Sequence, residues 1–98
     1  MYIESPGGVG FSHGLRNNNN TDETVARDNL QALIQFFKKF PAYKKNDFYL
    51  SGESYAGVYV PTLAYEIVKY NKLPSREFTF KLKGIMVGNA CTDPRECW

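Results

Sequence analysis

The residues with the clearest capacity for chemistry are Gly52-Glu53-Ser54-Tyr55-Ala56-Gly57. They follow a short β-prone run, Phe48-Tyr49-Leu50-Ser51, and precede a largely apolar, helix-prone segment. A serine hydroxyl becomes a useful nucleophile when it is exposed, oriented and supplied with a base. A tight strand-to-helix turn provides the first two by forcing the serine into strained backbone angles. Packing that close calls for small residues two before and two after it. Gly52 and Ala56 stand at those positions, with Ala where the general pattern has Gly. The amide of Tyr55 would then point at the developing oxyanion, helped by the positive end of the following helix. The plain alternative is a serine in an ordinary turn, since Gly-x-Ser-x-Ala by itself recurs by chance. Its position at a strand–helix junction favours the nucleophile.

The elements that must position this hexapeptide can be read on either side of it. Met1 to Ile3 is a short apolar start that runs into Ser5-Pro6-Gly7-Gly8-Val9-Gly10, as a strand ending in a glycine-rich loop would. Leu15 to Thr21 is polar and Asn-rich and reads as an exposed loop. From about Asp22 to Lys39, the residues Ala26, Leu30, Leu33, Ile34 and Phe37 recur at helical spacing on one face. Asp22 and Glu23 lie at the positive end of that helix, Lys38 and Lys39 at its negative end, and Pro41 stops it. Phe48 to Ser51 forms a second strand ended by Gly52. A second helix runs from near Tyr55 to Tyr70, with a break or kink at Pro61 and its main body from there onward. After a turn through Asn71, Pro74 and Ser75, the residues Phe80, Leu82 and Ile85-Met86-Val87 form a third strand ended by Gly88-Asn89. The order is β-α-β-α-β, and each crossover is long enough to return the chain parallel. Three parallel strands leave both outer edges unpaired, so the sheet is expected to be incomplete, the middle of a larger one.

Composition narrows the function classes. A chain of 98 residues with 43% apolar and 15% aromatic residues can seed one small core and is too apolar for a disordered tail. A net charge of +2 without a basic stripe argues against a nucleic-acid partner. No apolar run approaches the roughly 18 residues that span a bilayer, and the N-terminal residues lack the features of a secretory signal. Cys91, Cys97 and His13 are the only Cys and His residues, too few for a closed zinc site, so no metal is expected. The two cysteines read as a loop disulfide or as two buried thiols. Asn19-Asn20-Thr21 matches a glycosylation acceptor, but in a run of four Asn such a match is cheap. Gly8, Gly10 and Gly14 miss dinucleotide spacing by one residue and open no helix, so no nucleotide cofactor is expected. Tyr59, Tyr65 and Tyr70 read as packing residues of the second helix.

Four blocks carry a family resemblance. Glu4 to Ser12 resembles the "ESPAGVGFS" segment of the serine carboxypeptidases, and Phe40-Pro41-Ala42-Tyr43 resembles their "FPEY". Gly52 to Pro61, GESYAGVYVP, is similar to their "GESYAGHYVP", and Lys83 to Asn89 to their "KGIAIGN". The blocks occur in the family order and reach from end to end of the chain. The resemblance implies a partial α/β-hydrolase core in which residues 1–98 are a central fragment. It implies a serine-type carboxypeptidase that needs no cofactor and releases C-terminal residues from peptides and proteins. The parent protein would be secreted, lysosomal or vacuolar. It also implies Ser54 as nucleophile, the Tyr55 amide as one oxyanion donor, and Glu53 as a residue that holds the substrate's terminal carboxylate. Two carboxylates bind each other only if one is protonated, so such a pair favours acidic pH. The contrary reading of Glu53 is a buried, hydrogen-bonded structural acid.

The chain also departs from the family pattern. The family's "NGGPGCSS" segment lies upstream of anything present, and its catalytic Asp and His lie downstream. His13 precedes Ser54 and is not expected to be the base. Asp93 comes too soon after the nucleophile to be the triad acid and reads as a turn residue. Val58 replaces the family's His. An acyltransferase on the same scaffold, or an inactive remnant acting only by binding, is the alternative reading.

Overall fold

The computed structural model describes residues 1–5, 8–11, 21–91, 93 and 95. Helix α1 spans Asp22–Lys39 and is followed by a 3-10 turn, Pro41–Lys45. Strand β1 spans Phe48–Glu53, helix α2 Ala56–Asn71 and strand β2 Leu82–Gly88. The two strands pair in parallel, and the sheet among the described residues is two-stranded. This is a partial α/β architecture with an open sheet.

Helix α1 starts where its sequence supplies a cap. Thr21 has extended backbone angles, and its hydroxyl accepts from the Thr24 N–H at 3.1 Å while the Thr24 hydroxyl accepts from the Thr21 N–H at 2.8 Å. This reciprocal pair satisfies two amides that a helix start would otherwise leave without acceptors. The predicted apolar stripe is the buried face, with Val25 added to it. The helix ends at Lys39, before Pro41 at the start of the 3-10 turn, as expected.

Both helices contribute to one apolar core. Leu30, Leu33, Ile34 and Phe37 of α1 pack with Val60, Leu63 and Ile67 of α2 and with Leu50 of β1. Phe80 completes the cluster, with its ring edge-on to Phe37 at 5.6 Å. Phe80 lies before β2 and not within it. The Asn71 side chain takes up its backbone at both ends, accepting from the Phe80 N–H at 2.9 Å and donating to its carbonyl at 3.0 Å. A polar residue at the end of α2 thus stands in for a ladder partner.

Three further sequence expectations need correction. Met1 to Ile3 does not form a strand, because no described strand lies beside it to share a ladder, and Met1 and Tyr2 are largely exposed. The order among the described residues is therefore α-β-α-β, and β1 keeps a free edge. That edge and residues 1–5 border a hollow of about 1100 Å³. Second, β1 does not stop at Gly52 but runs on to Glu53, opposite Gly88 of β2. Third, α2 runs unbroken through Pro61 from Ala56. Proline there forfeits the one N–H bond that would reach the Gly57 carbonyl, and packing of Val60, Leu63 and Ile67 outweighs that loss. One residue on, the Thr62 hydroxyl donates to the Val58 carbonyl at 2.7 Å.

The pairing register fixes which side chains face away from the helices. Phe48 lies opposite Leu82 and Tyr49 opposite Gly84, so Lys83 is an extra, bulged residue. Beyond the bulge, Leu50, Gly52 and Val87 lie on the helix-covered side, whereas Ile85, paired with Leu50, stays exposed. Ser51 and Glu53 alternate to the uncovered side and are exposed.

Ile67 is wholly buried where the two helices meet the sheet. Replacing Ile67 by Ala is expected to cost about 2–5 kcal/mol in urea-unfolding free energy. A cost below about 1 kcal/mol would contradict a core centred there.

Candidate active site

At the C-terminal end of β1 the chain turns straight into α2, and Ser54 occupies the corner. Its φ is 59°, a left-handed value that is rare outside glycine. Such a conformation costs on the order of 1–2 kcal/mol in a residue with a Cβ, and it persists only where the surroundings impose it. Here they do so through the backbone. The Ser54 N–H donates to the Gly88 carbonyl at 3.0 Å, and its own carbonyl accepts from Gly57 at 3.0 Å and Cys91 at 2.9 Å. Asn89, just past β2, is the other described non-glycine residue with positive φ, at 46°. The strained positions therefore sit together at the C-terminal ends of both strands.

Small residues make the corner possible. A Cβ on Gly52 would collide with the methyl of Ala56 and lie 3.1 Å from Cγ2 of Val60. The spacing read from the sequence thus corresponds to a direct contact between the residues two before and two after Ser54. Gly57 is under a second constraint that the sequence did not reveal. A Cβ there would come within 2.6 Å of the Cys91 carbonyl oxygen. Cys91 is buried and disulfide-bonded, which ties down the segment that donates to Ser54.

Glu53, Ser54 and Tyr55 are brought together in an exposed row at this corner. Glu53 is exposed and makes no side-chain hydrogen bond among the described residues. Tyr55 precedes the first residue of α2, and its N–H makes no backbone hydrogen bond to a described residue. Its side chain is fixed twice. The ring lies edge-on to Tyr59 at 4.9 Å, and the hydroxyl donates to the Asp22 carboxylate at 3.2 and 3.3 Å. This hydrogen bond, above the smaller effects of burial and charge, raises the Tyr55 phenol above its ordinary pKa. Sequence reading placed Asp22 only as a favourable acid in the first turn of α1. Nothing in its spacing signals a contact with Tyr55.

The remaining candidates lie apart from the corner or outside the described residues. Asp93 binds Arg95, with Oδ2 2.7 Å from the guanidinium, which lowers its pKa and fits a turn residue. His13, Cys97 and the Asn19 acceptor lie outside the described residues. Among the described residues no cluster of His, Cys, Asp or Glu could hold a metal ion, and no helix is long and apolar enough to cross a membrane.

This geometry coincides with a family match. The family model for serine carboxypeptidases matches residues 1–97. The chain belongs to the serine carboxypeptidase family. The probable serine carboxypeptidase CPVL of Rattus norvegicus is 51% identical over 96 residues, covering 96% of this chain and 20% of that protein. Serine carboxypeptidase-like 25 of Arabidopsis thaliana is 50% identical over 95% of this chain and 20% of its own length. In three dimensions the chain is similar to Kex1Δp, a prohormone-processing carboxypeptidase from Saccharomyces cerevisiae. The TM-score is 0.84 at 34% identity, over 95% of this chain and 21% of the yeast chain. The chain thus spans about a fifth of the length of the relatives it matches.

If the corner is strained as the geometry indicates, Ser54→Gly should relieve it. We expect the unfolding free energy to rise by about 1 kcal/mol, measured by chemical denaturation. Ser54→Val, β-branched at the same φ, should lower it, and the opposite order would contradict the strain.

Proposed function

We propose that this chain is the central, nucleophile-bearing segment of a serine-type carboxypeptidase. Ser54 attacks the carbonyl of the last peptide bond, and the Tyr55 N–H donates to the oxyanion that forms. Collapse of that intermediate breaks the C–N bond, the C-terminal residue leaves with its amine protonated, and water then hydrolyses the acyl-enzyme left on Ser54 Oγ. The observation that carries this reading is the positive φ of Ser54 at an exposed strand-to-helix corner. Three features support it: the adjacent helix N-terminus, the Tyr55 amide without a backbone acceptor among the described residues, and the position at the carboxyl ends of parallel strands, where open α/β sheets bind ligands.

Glu53, exposed beside Ser54, holds the terminal carboxylate of the substrate. That role supplies exopeptidase selectivity, because only a chain end brings a carboxylate to this distance from the scissile bond. A shared proton between the two carboxyl groups makes binding stronger in acid. By the family order Ser, Asp, His, the triad acid and base come from parts of the protein outside this segment, and His13 is not the base. A secreted, lysosomal or vacuolar setting fits the disulfide at Cys91.

A fluorophosphonate probe with peptide mapping tests the assignment. In the full-length protein the label is expected on Ser54, whereas the 98-residue chain should react about 10⁴-fold or more slowly for want of a base. Labelling at equal rates would overturn the account. Glu53→Gln in the full-length protein should impair peptide hydrolysis, and change its pH profile, more than hydrolysis of a simple ester. Equal losses on both substrates would speak against carboxylate recognition.

A further inference from the structure

We infer that Asp22 is a positioning residue for the catalytic corner, acting through the Tyr55 hydroxyl to hold the Ser54–Tyr55 peptide in its oxyanion-binding orientation. The inference rests on the roles of Ser54 and Tyr55 proposed above. Tyr55 combines two facts that seldom occur in one residue. Among the described residues its amide, at the mouth of α2, has no backbone acceptor, and the residue is 39% exposed without a place in the main core. The carbonyl side of the Ser54–Tyr55 peptide is held by the bonds from Gly57 and Cys91, and two further contacts hold the Tyr55 side chain. Tyr59, one helical turn on, stays with α2 and moves with it. Asp22 is 33 residues away in sequence and belongs to α1, so its bond ties the Tyr55 side chain to a second element.

The acceptor is itself fixed. Asp22 is the first residue of α1, directly after Thr21, whose reciprocal bonds with Thr24 set the helix start. The α1 face behind it is anchored by Val25 and Ala26, both nearly fully buried. A rigid path therefore runs from the core through the cap to the carboxylate, and from there to the phenol beside the reacting centre. Oxyanion stabilisation is steeply dependent on donor placement, so a small rotation of this peptide lowers kcat while ground-state binding changes little.

A double-mutant cycle in the full-length enzyme tests this, using ester hydrolysis with Asp22→Ala, Tyr55→Phe and the pair. Each single change should lower kcat on the order of tenfold with KM within about twofold, and the pair should be no worse than either alone. Asp22→Asn, which keeps an acceptor oxygen, should restore most of the rate. Tyr55→Phe keeps the ring and leaves the α1 cap untouched, so it remains informative if Asp22→Ala folds poorly. Wild-type kcat in Tyr55→Phe, or additive losses in the pair, would overturn the inference while leaving Ser54 as nucleophile. Probe labelling on a serine other than Ser54 would overturn both.

Discussion

The Ser54 backbone is held by neighbours on three sides, and the arrangement of the site follows from that hold. Its N–H is taken by the end of β2, and its carbonyl by the first turn of α2 and by the segment after β2. With those groups committed, the residue cannot relax to an ordinary negative φ without losing bonds at a crowded junction. The side chain is therefore directed outward, away from the sheet. The same turn leaves the next amide beside it without a backbone acceptor among the described residues.

Everything else in the described chain keeps that junction in place. The parallel pairing of β1 with β2 brings Gly88 under Ser54, and the bulge at Lys83 sets the register that does so. The core of α1 and α2 presses on one face of the strands and fixes where α2 begins. Gly52, Ala56 and Gly57 let strand, helix and the Cys91 segment approach closely enough for the bonds to form. The tension between a costly backbone angle and a dense local frame is what a preorganised serine requires: the strain is met by folding, before any substrate arrives.

Much of this was legible in the sequence because it rests on local rules. The α1 limits followed from a long apolar period bounded by acids, lysines and Pro41. The corner followed from small residues spaced about a serine between a β-prone and a helix-prone run. What local rules could not supply was partner identity. Met1 to Ile3 has strand composition, but a strand exists only with a neighbour to bond. Pro61 is a helix breaker in isolation, yet the packing of α2 carries the helix through it. The Asp22–Tyr55 and Cys91–Ser54 contacts join residues far apart in the chain, and neither periodicity nor motif encodes them. Family resemblance filled another part of the gap, since four short blocks in order point to a fold of which the chain forms only about a fifth.

The most direct test of the central claim is a crystal structure of the full-length protein after inactivation by a peptidyl phosphonate. The account predicts phosphorus bonded to Ser54 Oγ, Ser54 still at positive φ, and a phosphonyl oxygen about 2.7–3.1 Å from the Tyr55 nitrogen. An adduct on another residue, or a Tyr55 amide turned away from the phosphonyl oxygen, would contradict it.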